Sequence, residues 1–503
     1  MTMLPAFEAF EKGWAEGRNQ LVWTRLAADL DTPVSLMLKL GDARADTFML
    51  ESVTGGEVRG RYSIVGMKPD LIWRCRGAVS EINREARFDP AAFRPLEGAP
   101  LDTLRALIAE SRIEMPEGLP AVSAGLFGYL GYDMIRLVEH LPDVNPDPIG
   151  LPDAVLMRPS VIAVLDGVKG DVTLVAPAWA GSGLSARAAY AQAAERVMDA
   201  LRDLDRAPAG AMRDLGEAAK VGNLRSNFSH DGYKAAVEKA KDYIRAGDIF
   251  QVVPSQRWAM DFALPPFALY RSLRRTNPSP FMFFFNFGGF QVVGASPEIL
   301  VRLRDGQVTI RPIAGTRKRG ATEDEDRALE ADLLADQKER AEHLMLLDLG
   351  RNDVGRVARV GTVRPTEKFI IERYSHVMHI VSNVVGEIRD GEDALSALLA
   401  GLPAGTVSGA PKVRAMQIID ELEPEKRGVY GGGVGYFAAN GEMDFCIALR
   451  TAVLKDETLY IQAGGGVVYD SDPEAEYQES VNKSNALRRA AEDAGRFAQR
   501  SNG

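Results

Sequence analysis

The chain has 503 residues, 46% of them hydrophobic and 26% charged, a composition typical of a folded protein too long for one hydrophobic core. Its formal net charge of -10 excludes a general nucleic-acid-binding surface, and no uncharged apolar run reaches the length of a membrane span. Its two cysteines, Cys75 and Cys446, are too few for a disulfide scaffold or a cysteine-rich zinc site, so we expect a cytoplasmic protein.

The first half of the chain alternates short strand-like runs with turns rich in glycine, proline and aspartate. An alanine-rich stretch at 185–204 predicts a helix. The following segment, 206–227, contains few large apolar residues, which is typical of a connection between domains. We therefore predict an N-terminal domain at 1–205 and a C-terminal domain at 228–503.

Helix and strand patterns are stronger in the second half. The apolar run at 280–295, interrupted by a pair of glycines, predicts two buried strands joined by a turn. The segment 335–356 predicts a helix that ends near Gly350. Another helix is predicted to begin at Asp472, which can cap it, and Pro473, which suits the first helical position.

Near the C-terminus the pattern is that of sequential hairpins. Residues 430–439 and 443–454 are predicted strands that meet at an Asn440-Gly441 turn, and 459–470 is a predicted third strand. Sequential hairpins with separate helices indicate an α+β fold rather than alternating βαβ units.

Two of the predicted helices each carry two glutamates three positions apart, which places both carboxylates on one face. The pairs are Glu339 with Glu342 and Glu476 with Glu479. Spacing alone favours ordinary ion pairs on a solvated face, such as Glu479 with Lys483. The alternative is that the two helices face each other and hold a hard cation, since Mg²⁺ prefers oxygen ligands.

Two glycine clusters, at 431–433 and 464–466, lie at the ends of the predicted hairpin strands. Strand glycines commonly form bulges or tight bends, but they also let backbone N–H groups approach an anion closely. Arg450, in the predicted strand between the clusters, is either a surface residue or a fork for a carboxylate. Together with the acid pairs, these features indicate a substrate that bears carboxylates and is bridged to Mg²⁺.

Seven motifs, in order between residues 230 and 490, resemble the chorismate-utilising enzymes. They read PIAGTRKRG, KERAEHLMLLDLGRNDVGRV, RYSHVMHIVSNVVGE, GTVSGAPKVRAM, YGGGVGYF, CIALR and QAGGGVVYDSDPEAEYQESVNKS. The stretch at 49–66, MLESVTGGEVRGRYSIVG, is similar to the large subunits (component I) of the anthranilate synthase branch. The resemblance implies a two-domain α+β fold, with a sandwich of antiparallel sheets inside and helices outside. It also implies a regulatory site in the N-terminal domain and catalysis in the chorismate-binding C-terminal domain.

The resemblance further implies roles for individual residues. Glu342 and Glu479 match the family's Mg²⁺ ligands, and Glu339 and Glu476 match companions that can act through metal-bound water. The positions that match chorismate contacts are Gly315, Thr316, Tyr430, Arg450, Gly464, Gly465 and Gly466.

Three more positions are catalytic candidates on the same resemblance. Glu298, in GASPEIL, matches the acid that protonates the departing C4 hydroxyl of chorismate, although an ordinary edge-strand glutamate is the alternative. His379, in YSHVMHI, matches a histidine tied to the loss of pyruvate, whereas the nearby His376 matches no such role. Thr406, in GTVSGAP, is the third candidate.

Two positions distinguish among the family's reactions. Relatives that attack with water usually carry lysine at the place of Gln251, and aminodeoxychorismate synthases usually carry lysine at the place of Ala314. Because both lysines are absent, the resemblance favours ammonia as the nucleophile and anthranilate and pyruvate as products, the first step of tryptophan synthesis. The alternatives are an aminodeoxychorismate synthase component I and a regulatory homologue that binds chorismate or tryptophan without turnover.

Two partners besides chorismate are implied. Neither cysteine lies in a nucleophile motif, so we expect ammonia from a separate glutamine amidotransferase subunit (component II) within a heterotetramer. L-tryptophan is expected as a feedback inhibitor in a pocket formed by Ser52, Pro280, Phe281 and Met282. Without the resemblance, 280–282 would be a turn entering a buried strand. Phe281 stands where tyrosine is common, which removes one hydroxyl contact.

Overall fold

The computed structural model describes residues 2–41, 44–53, 60–206, 222–374 and 377–498. In the N-terminal half the helices are α1 (Phe7–Ala15), α2 (Pro33–Leu40), α3 (Pro100–Glu110) and α4 (Ala186–Leu204). The strands there are β1 (Gln20–Ala27), β2 (Thr47–Glu51), β3 (Tyr62–Arg76), β4 (Val79–Asn83), β5 (Arg94–Pro95), β6 (Gly125–Leu130), β7 (Ala154–Asp166) and β8 (Asp171–Ala178).

The C-terminal half contains the remaining elements. Its helices are α5 (His230–Arg245), α6 (Pro266–Thr276), α7 (Glu323–Ala335), α8 (Gln337–Gly355), α9 (Ala394–Gly401), α10 (Lys412–Leu422), α11 (Pro473–Asp493) and α12 (Gly495–Ala498). Its strands are β9 (Arg225–Ser226), β10 (Gln251–Val252), β11 (Ser255–Asp261), β12 (Phe281–Asn286), β13 (Gln291–Ser296), β14 (Ile299–Arg304), β15 (Gln307–Ile310), β16 (Ile313–Lys318), β17 (Arg364–Arg373), β18 (Val377–Glu387), β19 (Gly409–Ala410), β20 (Gly433–Ala438), β21 (Met443–Ile447), β22 (Thr451–Lys455) and β23 (Thr458–Gly464).

Strands β3 and β7 pair along most of their length and belong to two antiparallel sheets. Their register shifts between Pro69 and Leu71, an irregularity of the kind that bends a strand. On one side of it the strand order is β9-β11-β23-β22-β13-β12-β2-β3-β7-β8-β1. On the other side it is β5-β4-β3-β7-β6-β20-β21-β14-β15-β18, and both β16 and β17 also pair with β18.

Aromatic side chains fill the space between the two sheets. Phe48 of β2 stacks on Phe127 of β6 with ring centroids 4.6 Å apart, and on Phe285 of β12 at 5.3 Å. All three side chains are buried, and each contributes about 1.5–3 kcal/mol to stability through removal from water. This layer connects the sheets and confirms the predicted α+β sandwich.

Helices cover the outer faces of both sheets. One apolar cluster joins α1, α2, α4, α6 and α11 to the sheet that contains β1, and another joins α3, α8 and α9 to the sheet that contains β14. In the described ranges no helix combines the length and the apolar composition needed to cross a bilayer.

Several predicted elements are confirmed. The helix at 185–204 is α4, and the run at 280–295 forms the β12–β13 hairpin. The Asn440-Gly441 turn joins β20 to β21, with Gly441 at a φ of 94°. Most of the predicted connection at 206–227 lies outside the described residues, so the domain boundaries stay a prediction.

The helix predicted to end near Gly350 instead continues to Gly355 as α8. A Cβ atom at Gly350 would lie 3.1 Å from Cγ of Pro312. This glycine therefore permits close packing of α8 on the β15–β16 connection, and it does not terminate the helix.

The single strand predicted at 443–454 is two strands, β21 and β22. β21 pairs with β14 and β20 in one sheet, whereas β22 pairs with β13 and β23 in the other. The chain changes sheet at 448–450, where Arg450 has a φ of 48°. The predicted third strand also ends early, at Gly464. Nothing in the propensities of these residues indicates the crossing, since it depends on packing between the sheets.

Candidate active site

Helices α8 and α11 place the two acid pairs beside one another. Asp336 caps α8 by accepting hydrogen bonds from two backbone N–H groups, and Asp472 caps α11 through Ala475. The pKa of Glu342 is raised, first because the carboxyl is partly buried and then because Glu339 and Glu479 lie near it. The carboxylates of Glu342 and Glu479, on different helices, thus lie near enough to interact electrostatically.

The four carboxylates differ in their partners. Glu479 forms an ion pair with Lys483 at 2.7 Å, the arrangement that spacing alone favours. Glu342 accepts a hydrogen bond of 3.3 Å from the amide of Gln251. Glu339 lies 3.5 Å from Arg317.

Glu476 is the carboxylate with an unused oxygen. Its Oε1 accepts a hydrogen bond of 2.7 Å from Ser471, while its Oε2 is buried and has no hydrogen-bond partner among the described residues. Burial, followed by the charge of Glu479, raises its pKa. A buried oxygen without a donor is costly unless a cation or water satisfies it.

These residues fit a Mg²⁺ ion that is shared with an anionic ligand. Within the described ranges, no group of three or more His, Cys, Asp or Glu side chains is arranged to hold a metal alone. Mg²⁺ usually takes one or two carboxylates, several waters and oxygens of the substrate. The mutual repulsion of the acid pairs and the unpartnered Glu476 oxygen would both be relieved by such a cation.

The run Gly464 to Gly466 forms a wall without side chains. A Cβ atom at Gly464 would lie 2.2 Å from the carbonyl oxygen of Pro254. At Gly465 it would lie 2.8 Å from Oε2 of Glu476, and at Gly466 it would lie 2.6 Å from Nε2 of Gln251. The glycines therefore bring backbone directly against the acid pair and against Gln251.

Tyr430 borders the first of these glycines. Its hydroxyl lies near the backbone of Gly464, and burial raises the pKa of Tyr430 to about 12. The phenol therefore keeps its proton at neutral pH and is available to donate to an anionic ligand.

His379 lies on β18 opposite Thr316 of β16, where a bulge places Gly315 at a φ of 74°. Its Nδ1 lies 3.1 Å from the carbonyl oxygen of Gly315 and 3.0 Å from the hydroxyl of Thr316. Because a carbonyl only accepts, Nδ1 carries the proton and Nε2 is left as a free base. Burial lowers the pKa of His379 to about 4, so the ring is neutral.

Burial shifts the pKa of Glu298 upward, whereas it shifts that of His379 downward. The Glu298 side chain is 6% exposed, in the turn between β13 and β14, and burial raises its pKa to about 8. The hydroxyl of Thr406 lies 3.3 Å from both carboxyl oxygens. Glu298 is therefore a protonated acid at neutral pH, oriented by Thr406.

Arg450 has no carboxylate partner among the described residues. Burial lowers the pKa of its guanidinium, an effect that an anionic ligand would reverse.

One functional neighbour is absent from the sequence-based prediction. The ring of Tyr374 packs edge-on against His379 with centroids 5.4 Å apart, and its hydroxyl donates to Glu372. The only sequence signal was its place in the motif RYSHVMHI. His376, in the same motif, lies outside the described residues.

A cavity of about 560 Å³ lies between the sheets and gathers all four residues predicted for an inhibitor, Ser52, Pro280, Phe281 and Met282. The same cavity reaches Tyr374 beside His379. The pocket therefore has an apolar wall at one end and Tyr374, the neighbour of His379, at the other.

Known proteins resemble this chain along its length. The family described as chorismate binding enzyme matches residues 54–489. Anthranilate synthase component 1 of Cereibacter sphaeroides is 86% identical over 497 residues, which cover 99% of each chain.

Two solved structures share the fold. Anthranilate synthase component I from Streptococcus pneumoniae TIGR4 superposes with a TM-score of 0.76 at 38% identity, covering 92% of this chain and 99% of that one. MenF, the menaquinone-specific isochorismate synthase from Escherichia coli, gives a TM-score of 0.69 at 21% identity, covering 97% and 99%. The second likeness concerns the fold alone.

Proposed function

The chain belongs to the family of chorismate binding enzymes, and from that premise we propose that it converts chorismate and ammonia to anthranilate, pyruvate and water as the large subunit of an anthranilate synthase. This reaction is the first step of tryptophan synthesis. The observation that carries the proposal is the burial of Glu298 beside the Thr406 hydroxyl, which raises the pKa of the carboxyl to about 8, because expulsion of the C4 hydroxyl requires a proton donor at neutral pH.

The first chemical step forms a C2–N bond and breaks the C4–O bond. Ammonia attacks C2, the ring double bonds shift, and Glu298 gives its proton to the departing hydroxyl, which leaves as water. Gln251 and Ala314 are both buried at the site and neither offers an amine, which supports ammonia over a lysine-activated water or a lysine adduct. The product of this step is aminodeoxyisochorismate.

The second step removes the C2 proton and breaks the bond between C3 and the enolpyruvyl oxygen. The proposed base for this proton is the free Nε2 of His379, because Nδ1 is hydrogen-bonded to the carbonyl of Gly315. The enolpyruvate gains a proton on carbon and leaves as pyruvate, and the ring becomes aromatic.

Recognition of chorismate is assigned to charged and polar groups around the glycine wall. Arg450 offers a fork for one substrate carboxylate, and Tyr430 offers a hydroxyl next to Gly464. Glu342 and Glu479 are the proposed Mg²⁺ ligands, with Glu339 and Glu476 beyond them. Bound Mg²⁺ would neutralise and orient the ring carboxylate.

Ammonia is proposed to come from a separate glutamine amidotransferase subunit. Glutamine hydrolysis in such enzymes needs a reactive thiolate, and neither thiol of this chain is one. Cys75 and Cys446 are both buried, and burial raises the pKa of Cys75 to about 12 and raises that of Cys446 as well.

Tryptophan is the proposed occupant of the 560 Å³ cavity. Pro280, Phe281 and Met282 form a rigid apolar wall suited to an indole, and Ser52 supplies a polar group for the amino-acid end. Binding there is distinct from binding at the glycine wall, so inhibition would act through a shift between conformations.

One assay tests the proposal. The purified chain, with chorismate, Mg²⁺ and ammonium, is expected to generate anthranilate fluorescence together with one pyruvate per anthranilate. Accumulation of an aminated product without pyruvate would favour aminodeoxychorismate synthesis. Tight chorismate binding without any product would favour the regulatory homologue.

A further inference from the structure

Arg427 is a buried arginine whose polar contacts are made with a carboxylate and with backbone carbonyls around the site. It is 3% exposed and lies in an ion pair with Glu423, which is 4% exposed. Its Nε donates to both carboxylate oxygens of Glu423 at 3.1 and 2.9 Å. The guanidinium lies over the ring of Tyr132, 4.8 Å from its centroid, and 5.5 Å from that of Tyr430.

The remaining N–H groups of Arg427 hold two backbone segments. Nη1 donates to the carbonyl of Val407 at 2.6 Å, and Val407 directly follows Thr406, the partner of Glu298. Nη2 donates to the carbonyl of Val253 at 2.7 Å, two residues after Gln251. One side chain therefore joins the segment that orients the acid to the segment that contacts Glu342.

Glu423 extends the same network to the glycine wall. It accepts hydrogen bonds from the backbone N–H of Ser255 at 2.7 Å and from the hydroxyl of Ser255 at 2.8 Å. Ser255 lies opposite Gly464 in the β11–β23 register. The Arg427–Glu423 ion pair thus contacts the segment next to Thr406, the segment that follows Gln251, and Ser255 opposite Gly464.

General stability is a poor explanation for this arrangement. Burying an ion pair costs desolvation, and apolar side chains of similar volume often stabilise a protein as well or better. A planar guanidinium, however, can serve a carboxylate and two carbonyls at fixed angles, which neither a lysine nor an apolar residue can do.

We infer that Arg427 is a positioning residue for the amination step, one that sets the placement of Thr406 against Glu298 and of Gln251 against Glu342. The inference rests on the proposed function. Its consequence is selective: the elimination step uses His379, whose contacts with Gly315 and Thr316 do not pass through Arg427.

The test compares the two chemical steps in the double variant Arg427→Met/Glu423→Met, which removes both charges together and so leaves no unpaired buried ion. We expect kcat for the conversion of chorismate with ammonium to fall about 100-fold, the loss typical of a small misplacement of catalytic groups. We expect kcat for anthranilate formation from supplied aminodeoxyisochorismate to stay within about 3-fold of the parent. Equal losses in the two steps, or no loss in either, would overturn the inference.

If the double variant does not fold, Arg427→Lys is the second test. It retains the positive charge beside Glu423 but loses the planar fork that binds the two carbonyls. It too should lose amination selectively, and parental amination in this variant would count against the positioning role. Arg158→Lys is the matched control, because Arg158 is also buried and makes a two-bond contact, with Asp70 between β7 and β3, that involves neither of these segments. Arg158→Lys should keep the parental kcat in both steps.

A parent chain that forms no anthranilate would refute the proposed function itself. That result is distinguishable from the comparison between variants.

Discussion

At the scale of single residues, the proposed chemistry depends on two side chains whose pKa values are shifted by burial. Burial holds Glu298 in its protonated form and His379 in its neutral form, with pKa values of about 8 and about 4. One can therefore give a proton and the other can take one at the same pH. The sequence identified both residues through their motifs, but burial, which determines their protonation, depends on the folded surroundings.

The pH dependence of amination should follow Glu298. In the proposed mechanism Glu298 acts as an acid, so kcat/KM for chorismate, measured at constant free ammonia, should be high below pH 8 and decline as pH rises through about 8. Glu298→Gln should abolish amination, because an amide cannot supply the proton. A flat profile across this range in the parent would remove Glu298 from the acid role.

His379→Ala should separate the two steps. Amination does not require the imidazole, whereas loss of pyruvate does, so aminodeoxyisochorismate should accumulate. Chromatography of the reaction mixture with chorismate and ammonium measures the intermediate directly. If anthranilate remained the only product, formed at the parental rate, His379 would have no part in the elimination.

Arg427, which the sequence-based prediction lacked as it lacked Tyr374, shows why the surroundings of the site could not be predicted from motifs. Its nearest partner in sequence is Glu423, four positions earlier, a spacing that also fits an ordinary surface ion pair. Its contacts with Val253 and Val407 join segments 174 and 20 positions away along the chain. Only the folded arrangement brings those carbonyls together.

At the scale of elements, the acid pairs depend on where α8 and α11 begin. The sequence predicted the cap and first turn of α11 correctly because Asp472 and Pro473 are local signals. It misplaced the end of α8 because Gly350 serves close packing on Pro312, which is a tertiary effect. The change of sheet before Arg450 was missed for the same reason.

Glu342→Gln tests the acid pairs as a unit. The change removes a negative oxygen ligand with little change in volume, so chorismate turnover should fall roughly 100-fold or more and lose its dependence on Mg²⁺. Because folding raises the pKa of Glu342, its ionised form opposes folding once pH exceeds the unfolded value. The variant should therefore melt at a higher temperature than the parent at neutral pH without Mg²⁺.

The same pair of measurements on Glu479→Gln provides a comparison. Glu479 is half-exposed and paired with Lys483, so its loss should lower turnover in the same way but change the melting temperature less. Parental rates with unchanged Mg²⁺ dependence in both variants would contradict the metal assignment.

At the scale of the whole molecule, the cavity at Ser52 lies between the two sheets and extends to Tyr374, whose ring packs against His379. A ligand in this cavity contacts strands of both halves, because β2 pairs with β12 there. Such a site can favour one arrangement of the sheets over another without touching chorismate.

Ser52→Phe should relieve inhibition by tryptophan. The larger ring fills the polar end of the cavity, so the tryptophan concentration for half inhibition should rise at least about 10-fold, with little change in the uninhibited rate. Phe281→Tyr is the informative counterpart, because it adds a hydroxyl to the wall and should strengthen inhibition. A parent enzyme that is indifferent to tryptophan would end the regulatory proposal, and unaltered inhibition in Ser52→Phe would place the inhibitor elsewhere.

Strands of the N-terminal half pair with strands of the C-terminal half, so the chain cannot be cut into two parts that fold independently. β2 lies against β12 and β6 against β20, so a cut between 206 and 222 would leave both fragments with long unpaired strand edges. Neither fragment is expected to remain monomeric and soluble by itself. Each fragment carries the strand edge that the other lacks. Two co-expressed fragments should therefore associate into the native fold and melt in a single cooperative transition.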